Sequence, residues 1–100
     1  FASSAASDVY KRQAYMFSKK AIIASVDHDS DSAKVINDAG AGWVIEPENI
    51  DLLAQTMKRV YFLEMKSLNI MGDKGFEYAM NHFSKNNNLK KIVNVISKLL

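Results

Sequence analysis

The residues best suited to chemistry lie together in one short polar segment that follows an apolar run. The segment consists of Ser25, Val26, Asp27, His28, Asp29 and Ser30. Its carboxylates, imidazole and hydroxyls can hydrogen-bond a polar ligand, move protons or hold a cation. Ser30 or Asp31 can also cap a following helix, whose free N–H groups would face an anion. We therefore predict that Ser25 to Ser30 form the ligand-binding segment of this chain.

A metal site is a sharper interpretation of the same segment, because Asp27, Asp29 and Asp31 alternate around His28. The calcium-loop pattern fails, since neither its glycine nor its closing glutamate follows at the required spacing. Alternation in a loop does not fix ligand geometry. We expect a solvated turn and a helix cap, with no metal, no cofactor and no catalytic residue. The other imidazole, His82, is predicted to lie at a helix end.

Two apolar runs predict the strands that position this segment. Ala21 to Val26 is short and nearly continuous, which is typical of a parallel strand covered on both faces. Trp43 to Ile45 is the second strand, and it ends at Glu46-Pro47 because proline cannot donate to a ladder. Ligands of open parallel sheets bind beyond the carboxyl ends of the strands. The polar segment lies at such an end.

Helical periods occupy the rest of the chain from Ala14 to Leu100. A helix that starts at Ser30 or Asp31 leads into Gly40 and Gly42, which supply the left-handed stop after a helix, and Asn49 caps the next helix. The apolar stripe of that helix comprises Ile50, Leu53, Met57, Val60 and Tyr61. The stripe of a second helix comprises Leu68, Met71, Gly75, Phe76, Ala79 and Phe83. Ser84 opens a third helix, whose stripe comprises Leu89, Ile92, Val93, Ile96 and Leu100. We expect the methionine and aromatic residues to pack in the core.

The predicted fold class is α/β, with the element order β-α-β-α-α-α after the end of a helix at Ala14 to Ser18. Strands that alternate with helices favour a parallel sheet with a right-handed crossover. A buried parallel pair needs further strands on its edges. The sequence therefore predicts a partial Rossmann-like parallel sheet over residues 14–100, the last third of a larger doubly wound domain.

The first thirteen residues differ from the rest of the chain. They are small and polar, with neither a helical stripe nor strand alternation. Ser3 to Gln13, SSAASDVYKRQ, resembles the in-frame translation of a transposase-type sequencing adapter. We interpret residues 1–13 as an artefact, with a natural disordered tail as the alternative, and such segments carry no information on fold.

Composition excludes several classes of protein. The chain has 100 residues, 48% apolar and 24% charged, which is enough for one small domain. The absence of cysteine excludes disulfide-stapled and cysteine-ligated zinc proteins. No apolar run approaches the roughly 18 residues of a membrane span, and a net charge of +2 does not argue for nucleic acid. We expect a soluble, cytoplasmic protein without a nucleic-acid partner.

Several motifs in order along the chain carry a resemblance to a known family. Tyr15 to Ser25 (YMFSKKAIIAS) is similar to the family segment "EYMASGKPVIAS", and Asp31 to Ile36 (DSAKVI) is similar to the "PEVI" helix that follows it. Gly40 to Pro47 (GAGWVIEP) is similar to "GETGLLVPP", and Asn49 to Met57 (NIDLLAQTM) is similar to "DPEALAEAI". Nearer the C-terminus, Met71-Gly72 and Phe83-Ser84 match the family's short "MG" and "FS" motifs. On these residues the chain resembles the retaining GT-B glycosyltransferases of glycosyltransferase family 4. The branch that builds lipopolysaccharide, capsule and related polysaccharides is the most similar.

The resemblance implies a bacterial enzyme that transfers a sugar from an NDP-sugar donor to a glycan or lipid-linked acceptor in cell-surface polysaccharide biosynthesis. It implies two Rossmann-like domains, so that the missing N-terminal GT-B domain would be a partner of this one. It also implies a cytoplasmic enzyme with peripheral association at the inner face of the membrane.

The family's donor-binding residues map only in part onto this chain. The second Glu of the E-x7-E motif falls at Ala14, and the Arg and Lys that hold the diphosphate would lie upstream. Of the residues present, only Ser25 to Ser30 could approach the donor. We therefore expect this chain to be a fragment that is inactive by itself.

Two other functions remain open. The chain could be a non-catalytic nucleotide-sugar-binding module, with a genuine start close to Ala14. It could also be an unrelated Rossmann-like piece, such as part of an epimerase, whose glycine-rich phosphate loop would come earlier in the domain. The residues upstream of Ala14 distinguish all three.

Overall fold

The computed structural model of this protein describes residues 5–83 and 89–99, with side chains described for 9–83 and 92–98. The elements are α1 (Ala5–Phe17), β1 (Ile22–Ser25), α2 (Asp31–Ala39), β2 (Gly42–Ile45), α3 (Ile50–Tyr61), α4 (Met65–His82) and α5 (Leu89–Leu99). Over these residues the chain is α/β, with five helices and one two-stranded parallel sheet. The predicted class and the parallel pairing are confirmed. The predicted start of the last helix at Ser84 lies outside the described residues.

The two strands pair in register from Ile22 opposite Gly42 to Ser25 opposite Ile45. They approach so closely at the first pair that a Cβ on Gly42 would overlap the carbonyl oxygen of Ile22. Only glycine fits there without a shift of the backbone. The register of this pairing determines which residues lie next to each other where the two strands end, at the carboxyl edge of the sheet.

The core lies against one face of the sheet. Ile22 and Ala24 of β1 pack with Met16 of α1, Ile36 of α2 and Ala79 of α4. The prediction that the first strand is covered on both faces is wrong in part, because Ile23 is half-buried and Ser25 is exposed. The helices of the core cluster, α1, α2 and α4, all meet the face that carries Ile22 and Ala24.

Helix α2 has the ends that the sequence predicts. Ser30 is its N-cap, and the Ser30 hydroxyl accepts a hydrogen bond from the N–H of Ala33 at 3.1 Å. Gly40 ends it in the left-handed conformation with φ of 65°, and the N–H of Ala41 bonds back to the carbonyl of Ile36 at 3.1 Å. This is the six-to-one bond with which many helices stop.

Helix α3 begins as predicted but does not pack as predicted. Asn49 caps it, with Oδ1 accepting from the N–H of Leu52 at 3.1 Å. The expectation that its methionine and aromatic side chains lie in the core is wrong, since Met57 and Tyr61 are exposed and Thr56 is its only buried residue. The reason is that α3 makes only sparse contacts with the other described elements, so most of its stripe has no surface to cover it.

Helix α1 extends well upstream of the predicted helix end at Ala14. Residues 5–13 are helical although they show no helical stripe, because α1 packs against α4 and α5. Arg12 and Gln13 are buried there, and Arg12 Nε and Gln13 Oε1 have no hydrogen-bond partner in the described structure. Burial lowers the pKa of Arg12 below its ordinary value. The charge of Asp31 acts in the opposite direction, but its effect is smaller. Buried polar atoms without hydrogen-bond partners lower the stability of the folded state. The interpretation of residues 1–13 as an artefact stays a prediction.

Candidate functional site

The candidate site lies where the two parallel strands end. The last strand pair is Ser25 opposite Ile45, and the N–H of Val26 continues the ladder to the carbonyl of Ile45 at 3.0 Å. The segment Ser25–Ser30, which starts at the last residue of β1, therefore meets the segment Glu46–Glu48 after β2 at one edge. This is the edge at which open parallel sheets bind ligands.

One carboxylate joins the two segments. Glu46 Oε1 lies 2.6 Å from His28 Nδ1, and it also accepts the backbone N–H of His28 at 3.2 Å. Both side chains are about half exposed, so the pair is accessible to a ligand. The double contact links the loop after β1 to the first residue after β2.

Glu46 is the site residue that the sequence analysis missed. From the sequence alone, Glu46 is only the residue at which the second strand ends. The signal was nevertheless in the sequence, because the first residue after β2 occupies the same edge as the first residues after β1. The rule that selected Ser25 to Ser30 also selects Glu46.

Ser30 holds the turn and is not free for a ligand. Its hydroxyl donates to the carbonyl of Asp27 at 2.7 Å and accepts from the N–H of Ala33 at 3.1 Å. Its backbone N–H also bonds to the carbonyl of Asp27 at 3.1 Å. Among the predicted site residues, Val26 likewise packs against the core. Both are structural members of the segment.

The remaining predicted residues, Ser25, Asp27, His28 and Asp29, are exposed. Asp27 lines a cleft of about 390 Å³ together with Glu46, Pro47 and Glu48. Three carboxylates make this cleft negative, which opposes a bound anion. Carboxylates accept hydrogen bonds from the hydroxyl groups of a ligand. The cleft therefore fits a polyhydroxy ligand better than a phosphate.

The residues that the structure describes contain no group of three or more His, Cys, Asp or Glu arranged to hold a metal ion. His28, the imidazole of the metal-site interpretation, is paired with Glu46.

His82 lies in the last turn of α4, as predicted. Its Nδ1 lies 2.9 Å from the carbonyl oxygen of Tyr78, and its ring stacks on that of Tyr78 at 3.9 Å between centroids.

Ala14, where the resemblance would place a donor-binding Glu, is fully buried within α1. This position therefore contributes no polar group to the cleft.

No helix among the described residues is both long enough and apolar enough to cross a membrane. No family model, no curated protein and no solved structure matches this chain.

Proposed function

We propose that residues 14–100 form the end of the nucleotide-sugar-binding domain of a retaining GT-B glycosyltransferase of family 4. The intact enzyme transfers a sugar from an NDP-sugar donor to a glycan or lipid-linked acceptor in polysaccharide biosynthesis. The observation that carries the proposal is the parallel β1–α2–β2 unit, with Ser25–Ser30 beside Glu46–Glu48 at its carboxyl edge.

The match between motifs and elements supports the proposal. The segment similar to "PVIAS" contains β1, the "PEVI"-like segment lies in α2, and the "GLLVPP"-like segment contains β2 and its turn. The "DPEALAEAI"-like segment begins at Asn49, the cap of α3. These motifs therefore follow the element order that the resemblance implies.

The chemistry of the cleft supports a contact with the sugar part of the donor. Asp27, Glu46 and Glu48 line the cleft and offer carboxylates to sugar hydroxyls. His28 contacts Glu46 from the neighbouring segment. The same carboxylates repel a diphosphate. In the proposed enzyme the diphosphate is bound by basic residues outside this chain, so this chain alone binds donors weakly and transfers nothing.

Titration of the isotopically labelled 100-residue chain with NDP-sugars, nucleoside diphosphates and free sugars tests this proposal by NMR. We expect amide shifts confined to residues 25–30, Glu46 and Glu48, with dissociation constants of roughly 1 mM or weaker, equivalent to at most about 4 kcal/mol of binding free energy. The shifts should require the sugar, because the cleft is negative.

Asp27→Asn should abolish these shifts, whereas Glu77→Gln should leave them unchanged, because Glu77 is an exposed residue of α4 that does not line this cleft. Shifts that are absent with every donor, or equal in both variants, contradict the proposal. Binding in the micromolar range by the chain alone supports instead a non-catalytic nucleotide-sugar-binding module.

Sequencing the native locus upstream of the Ala14 codon tests the enzyme assignment independently. We expect the reading frame to continue upstream for roughly two domain-lengths and to supply a Glu and basic residues before Ala14. Native codons for residues 1–13 behind a genuine start site would overturn the assignment.

A further inference from the structure

The outer edge of β1 has no strand beside it among the described residues, because β1 pairs only with β2. The N–H groups of Ile22 and Val26 bond to the carbonyls of Ala41 and Ile45, on the side of β2. Backbone groups alternate in direction along a strand, so the N–H and C=O groups of Ile23 point to the outer edge. Such an edge is a template for another strand.

The outer edge is accessible over most of its length. The same alternation turns the backbone groups of Ala21 and Ser25 outward. Ser25 is exposed, and Ala21 and Ile23 are half-buried. A cavity of about 330 Å³ opens beside residues 20–23, with Tyr15 as its further lining residue. A strand can therefore approach this edge.

Charges of opposite sign flank β1. Lys19 and Lys20 are exposed just before the strand, and Asp27 and Asp29 are exposed just after it. An antiparallel strand of the same sequence brings its acidic end to the basic end of β1, and its basic end to the acidic one. A parallel strand of the same sequence brings like charges together, which is unfavourable. The edge is thus complementary to an inverted copy of itself.

We propose that β1 pairs antiparallel with β1 of a second copy of this chain, which forms a four-stranded sheet in the order β2-β1-β1-β2. In the register that uses all the outward groups of residues 21–25, Ile23 of each copy exchanges two backbone hydrogen bonds with Ile23 of the other. Ala21 then pairs with Ser25 at both ends, and Lys20 comes near Asp27 of the second copy. The same patch serves both copies, as a two-fold dimer requires.

The outer edge of β2 does not offer the same complementarity. The nearest charged residue before β2 is Asp38, and the first residues after it include Glu46 and Glu48. Two copies joined antiparallel at this edge would bring carboxylates together at both ends. Charge therefore selects the edge of β1 for self-pairing.

This inference does not rest on the proposed function, and dimerisation is measured without any donor. A chain that binds sugars but stays monomeric rejects only the dimer, and a dimer that ignores donors rejects only the donor site. In the proposed enzyme an upstream strand competes for the same edge, so the dimer is inferred for the 100-residue chain.

Hydrogen exchange followed by NMR tests the register. The interface is small, so we expect a dissociation constant of roughly 0.1 mM. Between roughly 10 µM and 1 mM, exchange at the amides of Ile23 and Ser25 should slow by about fourfold, because the monomer fraction falls by that factor. The amides of Ile22 and Val26 bond within the chain and should change little. Sedimentation equilibrium should show a monomer–dimer equilibrium over the same range.

A pair of charge variants tests the orientation. Lys20→Glu and Asp27→Lys should each weaken the dimer by about tenfold, because each places like charges at both ends of the pairing. An equimolar mixture of the two variants should dimerise like the unchanged chain, since the mixed dimer has opposite charges at both ends. Lys58→Glu alters an exposed lysine of α3 and should leave the dimer unchanged.

Ile23→Pro tests the edge itself. Proline removes the central outward N–H but none of the N–H groups that bond to β2, so this variant should be monomeric at roughly 1 mM. Circular dichroism should show the same helix content as in the unchanged chain. The charge variants keep the inference testable if this variant does not fold.

A chain that stays monomeric at roughly 1 mM, or exchange that slows equally at Ser25 and Val26, would overturn the inference. A mixture of the charge variants that fails to dimerise would overturn it as well. Association that persists in Ile23→Pro and in both charge variants would place the interface elsewhere and so reject the edge of β1.

Discussion

Helices α2 and α3 each follow one strand of the parallel pair, and each begins at a side-chain cap, Ser30 and Asn49 respectively. Their packing is nevertheless opposite. Helix α2 buries its four apolar residues, namely Ala33, Val35, Ile36 and Ala39, whereas α3 buries only Thr56. Both sequences have a helical stripe, so the stripe does not explain the difference.

The difference lies in what each helix meets. Helix α2 packs against β2 and α4, and its side chains enter the cluster around Ile22 and Ala24. Helix α3 makes only sparse contacts, and its half-buried residue Val60 borders an open groove with Ile23 and Trp43. An amphipathic pattern thus specifies that a helix forms, while the partner surface decides whether its apolar face is covered.

The largest expected effect is the contrast between two isoleucine truncations. Ile36→Ala should lower the free energy of unfolding by about 2–5 kcal/mol, because it leaves a cavity in the core. Ile50→Ala should change it by no more than about 0.5 kcal/mol, since Ile50 is exposed. Urea denaturation followed by circular dichroism measures both. Equal losses would show that α3 is packed after all and would remove the contrast.

A smaller effect is expected from the helix ends. Gly40→Ala should cost about 1–2 kcal/mol, because φ at Gly40 is 65° and a side chain is strained in that conformation. At the end of α3, Phe62 has an ordinary φ of −91° and an exposed side chain, so Phe62→Ala should be nearly neutral. The same denaturation experiment checks both. A neutral Gly40→Ala would mean that α2 ends without the left-handed residue.

The smallest effect concerns the solvent face of α2. A hydrogen bond from Lys34 Nζ to Asp38 Oδ2, at 3.1 Å, and then the charge of Asp38 raise the pKa of Lys34 above its ordinary value of 10.5. The folded-state pKa is raised, so the stabilisation is fully present below the unfolded value and is lost as pH rises through the folded one. Asp38→Asn should remove most of the increase in an NMR titration of Lys34.

Asp31→Asn is the matched control for that titration, because Asp31 is the weakest of the causes that raise the pKa of Lys34. It should lower the pKa by less than Asp38→Asn does. A Lys34 pKa that is identical with and without the Asp38 carboxylate would contradict the hydrogen bond as its cause.

The candidate site could be predicted from the sequence only as far as local rules reach. The strand end near Ser25, the cap at Ser30 and the polar run between them follow from residue types and spacing. The roles within that run do not. The hydroxyl of Ser30 bonds within its own turn, and Val26 packs inward, because each role depends on neighbours that the spacing alone does not specify.

What the sequence by itself determined is the α/β alternation with its parallel pair, both N-caps and a left-handed glycine stop after α2. Hydrogen bonds and backbone conformations within a few residues decide the caps and the stop. The strand–helix–strand order favours the parallel pairing, which joins residues as distant as Ile22 and Gly42. Only the tertiary structure decided that Glu46 reaches His28 across 18 positions and that Met57 and Tyr61 of α3 are exposed. Side-chain burial and pairing depend on which surfaces meet, and residue spacing along one helix or strand carries no information about its partner.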